Sequence, residues 1–394
     1  RVGTMSRPST GRVRARGAHA PGALRACSAL AVALAVSVAG VPSARAADEI
    51  TTQDYVGVLG VENEVAAGRT GKGIKIGVVD GPADTSLPEL QGADVTVKSL
   101  CDFVPSADGR SHASAMVSIL VARGYGVARD AQVVSYAVPG DDDDDSSGDC
   151  FDVGIEDAIG TAVADGVDII SISMGGGEAI SDAEREAVAG AVARGVVVVV
   201  STGNEGAQDP ADSFASVNGT VGVGAADSSG NMTSYSNYGK GLTVLAPGDG
   251  LVYHDLAAGS TAVASGTSVA APIVAGFLAV TMQQWDGATS NQVLQSLVRT
   301  ASSGRSGQPL ISPRNLDSTD PTQFPDENPL MDKFPGTEPS AAMVEDYRDG
   351  LLVSESVFDN DVSYVYRGAN PVVVAMRPDR SALGTSPRYH RGAD

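Results

Sequence analysis

From Gly73 to about Thr300, short apolar runs alternate with longer stretches in which apolar residues recur at helical spacing. The runs at residues 74–79, 131–138, 167–173, 196–201, 220–225 and 242–246 are rich in Val and Ile and are bounded by Gly or polar residues. Continuous apolar runs of this length fit strands buried on both faces. Between them, residues 152–165 and 181–194 carry helical periodicity, and the second opens with Ser181 and Glu184 in capping-box spacing. Residues 268–285 predict a long helix with Pro272 in its first turn, where a missing N–H costs little. In RSHASAMVSILVAR, Met116, Ile119, Leu120 and Arg123 predict another helix, with His112 in its first turn. Strands that alternate with helices in this way predict an α/β fold, a parallel sheet covered by helices on both faces.

The two ends read differently. The first 46 residues hold seven Arg and no acidic residue, followed by an apolar run over 26–41 and then Ala44-Arg45-Ala46, the pattern of a secretory signal peptide cleaved near Ala46. Beyond Arg305 the periodicity fades and ten of the 20 prolines appear, so residues 305–394 are expected to be largely irregular, with strands at 351–353 and 372–375. Residues 47–304 then form the main domain. No apolar run near the C-terminus approaches the ~20 residues of a spanning helix, so no permanent membrane anchor is expected.

Charge narrows the partners. Without the leader, 20 basic residues face 48 acidic ones, a formal charge of 20 − 48 = −28. Nucleic acid and anionic membranes would be repelled. The exported chain keeps two cysteines, Cys101 and Cys150, which an oxidising compartment allows to pair or to remain as thiols.

In open parallel sheets, chemistry collects at the carboxyl ends of strands. Asp80 ends IKIGVVD, Asn204 follows VVVVVSTG, and Ser268 lies in GTSVAAP at a predicted helix start. A serine hydroxyl needs an imidazole to take its proton and a carboxylate to orient that imidazole; an amide beside it can hold the resulting oxyanion. His112 is the histidine placed for this work, since His19 lies in the leader, His390 in the terminal tail and His254 in an expected loop.

The blocks VVDG, SHASAMV, SMGG, STGNEG and GTSVAAP, in the order Asp, His, Asn, Ser, resemble the signature blocks of the subtilase family over about residues 71–300. The resemblance implies a subtilisin-like three-layer α/β fold and a serine endopeptidase with Asp80, His112 and Ser268 as catalytic triad and Asn204 as oxyanion donor. It also implies that Ser173, Met174, Gly175 and Gly176 wall the primary specificity pocket, that Glu205 lies near its floor, and that an extended peptide binds as an added strand. The sequence departs from the family at Gly81-Pro82, where Ser or Thr then Gly is common, and at Ala113-Ser114, where Gly-Thr is usual.

Further expectations follow. Asp141 to Asp145, with Asp149 beyond, would select basic residues upstream of the cut, form a solvated acidic loop, or hold calcium, although consecutive Asp lack the spaced pattern of a dedicated site. The short ARGYGVARDA replaces the segment where many subtilisins insert a calcium loop. The chemistry requires no cofactor and no metal is assigned. A Cys101–Cys150 disulfide would tether both sides of the cleft. About 25 residues separate Ala46 from Gly71, too few for an inhibitory prodomain, a feature that resembles mycosins. The alternatives are a non-catalytic peptide-binding homologue and a peptide ligase or cyclase working through the same acyl-enzyme.

Overall fold

The computed structural model describes residues 48–140, 143–144, 148, 150, 153–174 and 179–349, with the backbone of 364–367 and 372–375. The leader expected over 1–46 and the strand expected at 351–353 lie outside these residues. The strands are β1 (Lys75–Asp80), β2 (Val95–Ser99), β3 (Gln132–Ala137), β4 (Ile169–Ile172), β5 (Val197–Ser201), β6 (Val221–Ala226), β7 (Leu242–Pro247), β8 (Leu251–Asp255), β9 (Ser260–Ala264), β10 (Ser302–Ser303) and β11 (Pro309–Leu310). Nine of them form one sheet in the order β10-β11-β7-β6-β5-β4-β1-β3-β2, parallel throughout except for β10. A separate antiparallel hairpin joins β8 to β9.

The helices are α1 (Asp54–Leu59), α2 (Val61–Ala66), α3 (Ala107–Val121), α4 (Ile155–Ala164), α5 (Asp182–Ala193), α6 (Thr267–Gln284), α7 (Ser290–Thr300), α8 (Pro313–Ser318) and α9 (Ala341–Arg348). Strand periodicity sorts the core into two layers. In β5, Val197 and Val199 face the layer of α3 and α6, whereas Val198 and Val200 face that of α4 and α5. This is the three-layer arrangement the alternating pattern predicts. Because β1 pairs with β3 on one side and β4 on the other, the winding reverses at β1. A crevice opens at the carboxyl end of such a strand, and Asp80 is its last residue.

Several boundaries differ from the sequence reading. Helix α3 begins at Ala107 because Ser106 caps it, its side chain accepting from the Gly109 N–H. His112 therefore sits in the second turn and not the first; the apolar spacing that marks the helix begins only at Ala113. Pro272 likewise lies in the second turn of α6, since that helix opens at Thr267. Helix α4 starts at Ile155 rather than at 152, whereas α5 has the Ser181–Glu184 capping box that its spacing predicts. His254 lies on β8 and not in a loop; it is buried against Glu89, with Nε2 3.0 Å from Oε1.

The region beyond Arg305 is ordered more closely than its prolines suggest. Strand β11 pairs with β7 through Leu310 and Leu245, and Pro313 and Pro321 occupy the first turns of short helices, where proline is tolerated. The Asn218 amide donates to the carbonyls of Phe334 (3.3 Å) and Pro339 (3.2 Å), and α9 sets Val344 and Tyr347 into the α5 layer. Farther on, β12 (Tyr364–Arg367) pairs antiparallel with β13 (Val372–Ala375), the latter where a strand is expected. Cys101 and Cys150 are joined in a disulfide 49 residues apart in sequence, which ties the segment ahead of α3 to the end of the acidic run. Closing a loop of that size removes on the order of 4 kcal/mol of unfolded-chain entropy in the chain-entropy model.

Candidate active site

Strand β1 delivers Asp80 to the switch point with 4 % of its side chain exposed, and α3 brings His112 over it with 38 % exposed. His112 Nδ1 lies 2.9 Å from Asp80 Oδ2 and 3.0 Å from Oδ1, while Oδ1 also accepts the Gly81 N–H at 2.8 Å. A carboxylate bound through Nδ1 leaves Nε2 as the outward nitrogen, the tautomer a general base requires. The Asp80 charge raises the His112 pKa above its ordinary value of 6.5, outweighing the burial that would lower it.

Both segments that depart from the family pattern lie where the loop after β1 meets α3. A Cβ at Gly81 would lie 3.1 Å from the Gly109 carbonyl oxygen, so the position after Asp80 sits against α3. Ala113 is fully buried, and Ser114 Oγ accepts the Asp84 N–H at 2.7 Å while donating to the Arg110 carbonyl. The altered residues on α3 thus hold the altered loop after β1.

Ser268 enters at the second position of α6 and lines, with His112, a cavity of about 350 Å³ whose walls include Met116, Leu251, Tyr253 and Val269. The proline one turn on has a consequence. Pro272 has no N–H to offer the carbonyl of Ser268, four residues back. That carbonyl accepts the Ser173 hydroxyl instead, at 3.0 Å. Ser173, expected in a pocket wall, is buried and turns its hydroxyl inward to steady the backbone of Ser268.

Asn204 is exposed on the loop after β5, and its amide is oriented from behind: Oδ1 accepts from the Thr267 N–H (2.8 Å) and hydroxyl (3.1 Å). This leaves Nδ2 free to turn toward Ser268. A Cβ on Gly266 would lie 3.1 Å from Ser268 Oγ and 3.4 Å from Asn204 Nδ2. The backbone of Gly266, with φ of 170°, suits any residue, so glycine is required there for space alone.

Glu205 is exposed, and its Oε2 accepts the Asn237 Nδ2–H at 2.6 Å. Met174 is half-buried against the α4 and α5 layer. Gly175 and Gly176 lie outside the described residues, as do Asp141, Asp142, Asp145 and Asp149 of the acidic run. Asp143 is engaged internally, its carboxylate accepting the N–H groups of Ser106 (2.7 Å) and Gly140 (2.8 Å), whereas Asp144 bridges to Val104 through its backbone and exposes its side chain. Among the described residues, no three His, Cys, Asp or Glu side chains are placed to hold a metal ion. Thr267 and Asn237 carry no chemistry that the sequence would single out; only the geometry shows their connection to Asn204.

A parallel sheet wound in both directions from β1, with an Asp–His pair and a helix-start serine at the switch point, defines a subtilisin-like α/β fold. The chain belongs to the subtilase family: the peptidase S8 subtilase model matches residues 71–325. It is similar to subtilisin NAT of Bacillus subtilis subsp. natto, 32 % identical over 247 residues, which cover 59 % of this chain and 62 % of that one. Subtilisin of Bacillus pumilus is also 32 % identical over 247 residues, with 86 % of its length covered. This chain thus spans 62 % of the length of the first relative. Among solved structures, the protease domain of PatA in a mutant form matches with a TM-score of 0.54 and 26 % identity, over 64 % of this chain and 96 % of that domain.

One prediction arises at the Asp80–His112 pair. A protonated imidazole cannot accept the serine proton, so kcat/KM should fall on the acid side with a midpoint above 6.5, the raised His112 value. Asp80→Asn removes the charge that raises it and should bring the midpoint down to the ordinary value or below, besides costing roughly 10⁴ in kcat. An acid limb that stays in place in the Asp80→Asn variant would contradict the assignment.

Proposed function

We propose that the chain is a serine endopeptidase that acts outside the cell, after loss of a leader near Ala46, and hydrolyses proteins or peptides through an acyl-enzyme. The observation that carries this reading is the convergence of His112, bonded to Asp80, with Ser268 on one cavity, beside an Asn204 amide oriented by Thr267.

In the reaction, Ser268 Oγ attacks the substrate carbonyl carbon while His112 Nε2 takes the hydroxyl proton. The carbonyl π pair moves onto oxygen, where Asn204 Nδ2 and the Ser268 N–H at the start of α6 receive the charge. Collapse breaks the C–N bond, and His112 returns the proton to the leaving amine. Water, deprotonated by the same imidazole, then splits the ester and restores Ser268. Asp80 stays ionised and holds the imidazole in place throughout. The exposed carboxylate of Asp144, on the segment that bridges to Val104 ahead of α3, would favour basic residues upstream of the cut.

The test is to incubate the chain and its Ser268→Ala variant with a denatured protein and map the products by mass spectrometry, with a fluorophosphonate probe run in parallel. New termini and Ser268 labelling in the parent alone support the proposal. Absence of both would make the chain a peptide-binding homologue, and products with newly joined ends would assign it to transpeptidation. If Lys and Arg are not enriched upstream of the cuts, the basic preference falls.

A further inference from the structure

We infer that Asn237 is a positioning residue for the oxyanion loop, fixing the main chain on both sides of Asn204 and the carboxylate of Glu205. The inference rests on the reading of Asn204 as the oxyanion donor. Asn237 is 1 % exposed and lies outside the cavity that His112 and Ser268 line. Its Oδ1 accepts the N–H groups of Glu205 (3.2 Å) and Ala207 (3.0 Å), and its Nδ2 donates to the Thr202 carbonyl (3.1 Å) and to Glu205 Oε2 (2.6 Å). Its own N–H donates to the Gly203 carbonyl at 3.0 Å. One planar amide therefore uses two acceptor and two donor positions on residues that bracket Asn204, two before it and one and three after.

No other side chain of this size supplies that set, since aspartate has no donor when ionised and serine has a single hydroxyl. The loop has little freedom to compensate. Gly203 and Gly206 hold φ of 106° and 64°, and a Cβ at Gly206 would sit 2.5 Å from the Ser234 carbonyl oxygen, so the loop lies pressed on the segment that carries Asn237. Thr267 controls the direction of the Asn204 amide, while Asn237 controls where its backbone stands. An error of about 1 Å in such a donor costs on the order of 10²-fold in rate.

The experiment uses inactivation by a small fluorophosphonate, whose phosphoryl oxygen occupies the oxyanion position and which has no side chain to reach Glu205. In Asn237→Asp, the new carboxylate faces Glu205 and the Thr202 carbonyl. At pH 8 the inactivation rate should fall by about 30-fold or more, near the loss of one oxyanion donor. Adding Glu205→Gln restores a donor opposite the new acceptor and should recover about fivefold at pH 8.

Parent-like inactivation of Asn237→Asp would overturn the inference. So would a loss unrelieved by Glu205→Gln, which marks general damage. If Asn237→Asp does not fold, Asn237→Ser is read by the same rate at pH 8, and a parent-like value there is equally fatal. Failure of the parent itself to label at Ser268 would instead remove the proposed function.

Discussion

Ser268→Ala and His112→Ala should each lower kcat by about 10⁶-fold, and the double variant should be no slower than either, following the magnitude and non-additivity measured in subtilisin. In the proposed mechanism the serine is nucleophilic only because the imidazole takes its proton, so removal of either group abolishes the same step. In free-energy terms each loss is about 8 kcal/mol, and independent contributions would sum to twice that. A residual rate roughly 10³–10⁴ above the uncatalysed one should survive, since the Asn204 amide and the Ser268 N–H remain in place. The check is steady-state turnover of a chromogenic peptide by all three variants. Losses that add, or a Ser268→Ala variant that keeps substantial turnover, would show that the two side chains do not act as a unit.

Lys333→Met should lower folding stability by about 2 kcal/mol above neutral pH, the size expected when buried backbone carbonyls lose their donor. The Lys333 stem is partly exposed, but its ammonium turns inward and donates to the carbonyls of Ala215 (2.8 Å) and Gly241 (3.1 Å). Nearby Asp209 is 6 % exposed, and neither carboxylate oxygen has a hydrogen-bond partner among the described residues. Burial pushes Asp209 up to about 7 despite the Lys333 charge, with Glu205 adding to the rise, and burial pushes Lys333 down to about 7 against the pull of Asp209.

These directions fix opposite pH dependences. Asp209 is protonated in the folded state between about 4 and 7, where the unfolded chain has released the proton. Its contribution is present below the ordinary value of 3.8 and is lost as pH rises through about 7. Lys333 behaves in reverse: its contribution is present above 10.5 and is lost as pH falls through about 7. The pair therefore leaves a trough near neutrality. Relative to the parent, Asp209→Asn should gain stability as pH rises from about 4 to 7, whereas the deficit of Lys333→Met should widen from about pH 7 to 10. Urea midpoints across this range give both differences, and differences that stay flat would refute the coupling of these groups to folding.

The parallel sheet was legible because Ile74 to Val79 and Val196 to Val200 are apolar without interruption by more than a lysine and a glycine, as strands covered on both faces must be. The edge strand β2 was not, since VTVKS is mostly exposed and mixes polar with apolar residues. The four proposed reacting groups were legible because each ends a strand run or opens a helix within a recognisable block. Their supports were not. Ser173 meets the Ser268 carbonyl only because Pro272 leaves it free, and Asn237 reaches Asn204's loop from a segment 32 residues beyond Glu205. Lys333 was hidden for another reason: proline-rich composition signals irregular backbone, but says nothing of whether one long side chain finds a carbonyl pair in the sheet domain.

Helix α6 is sealed almost all round, from Val269 to Met282, and at Gly276 it comes so near the turn after α3 that an added Cβ would lie 2.7 Å from Val127 Cβ. The Ser268 hydroxyl thus stands at the mouth of a deeply enclosed rod. Heat cannot loosen that rod by itself without opening the layer it shares with α3, so the Ser268 hydroxyl should keep its place until that layer melts, and partial thaw elsewhere should dull substrate grip first.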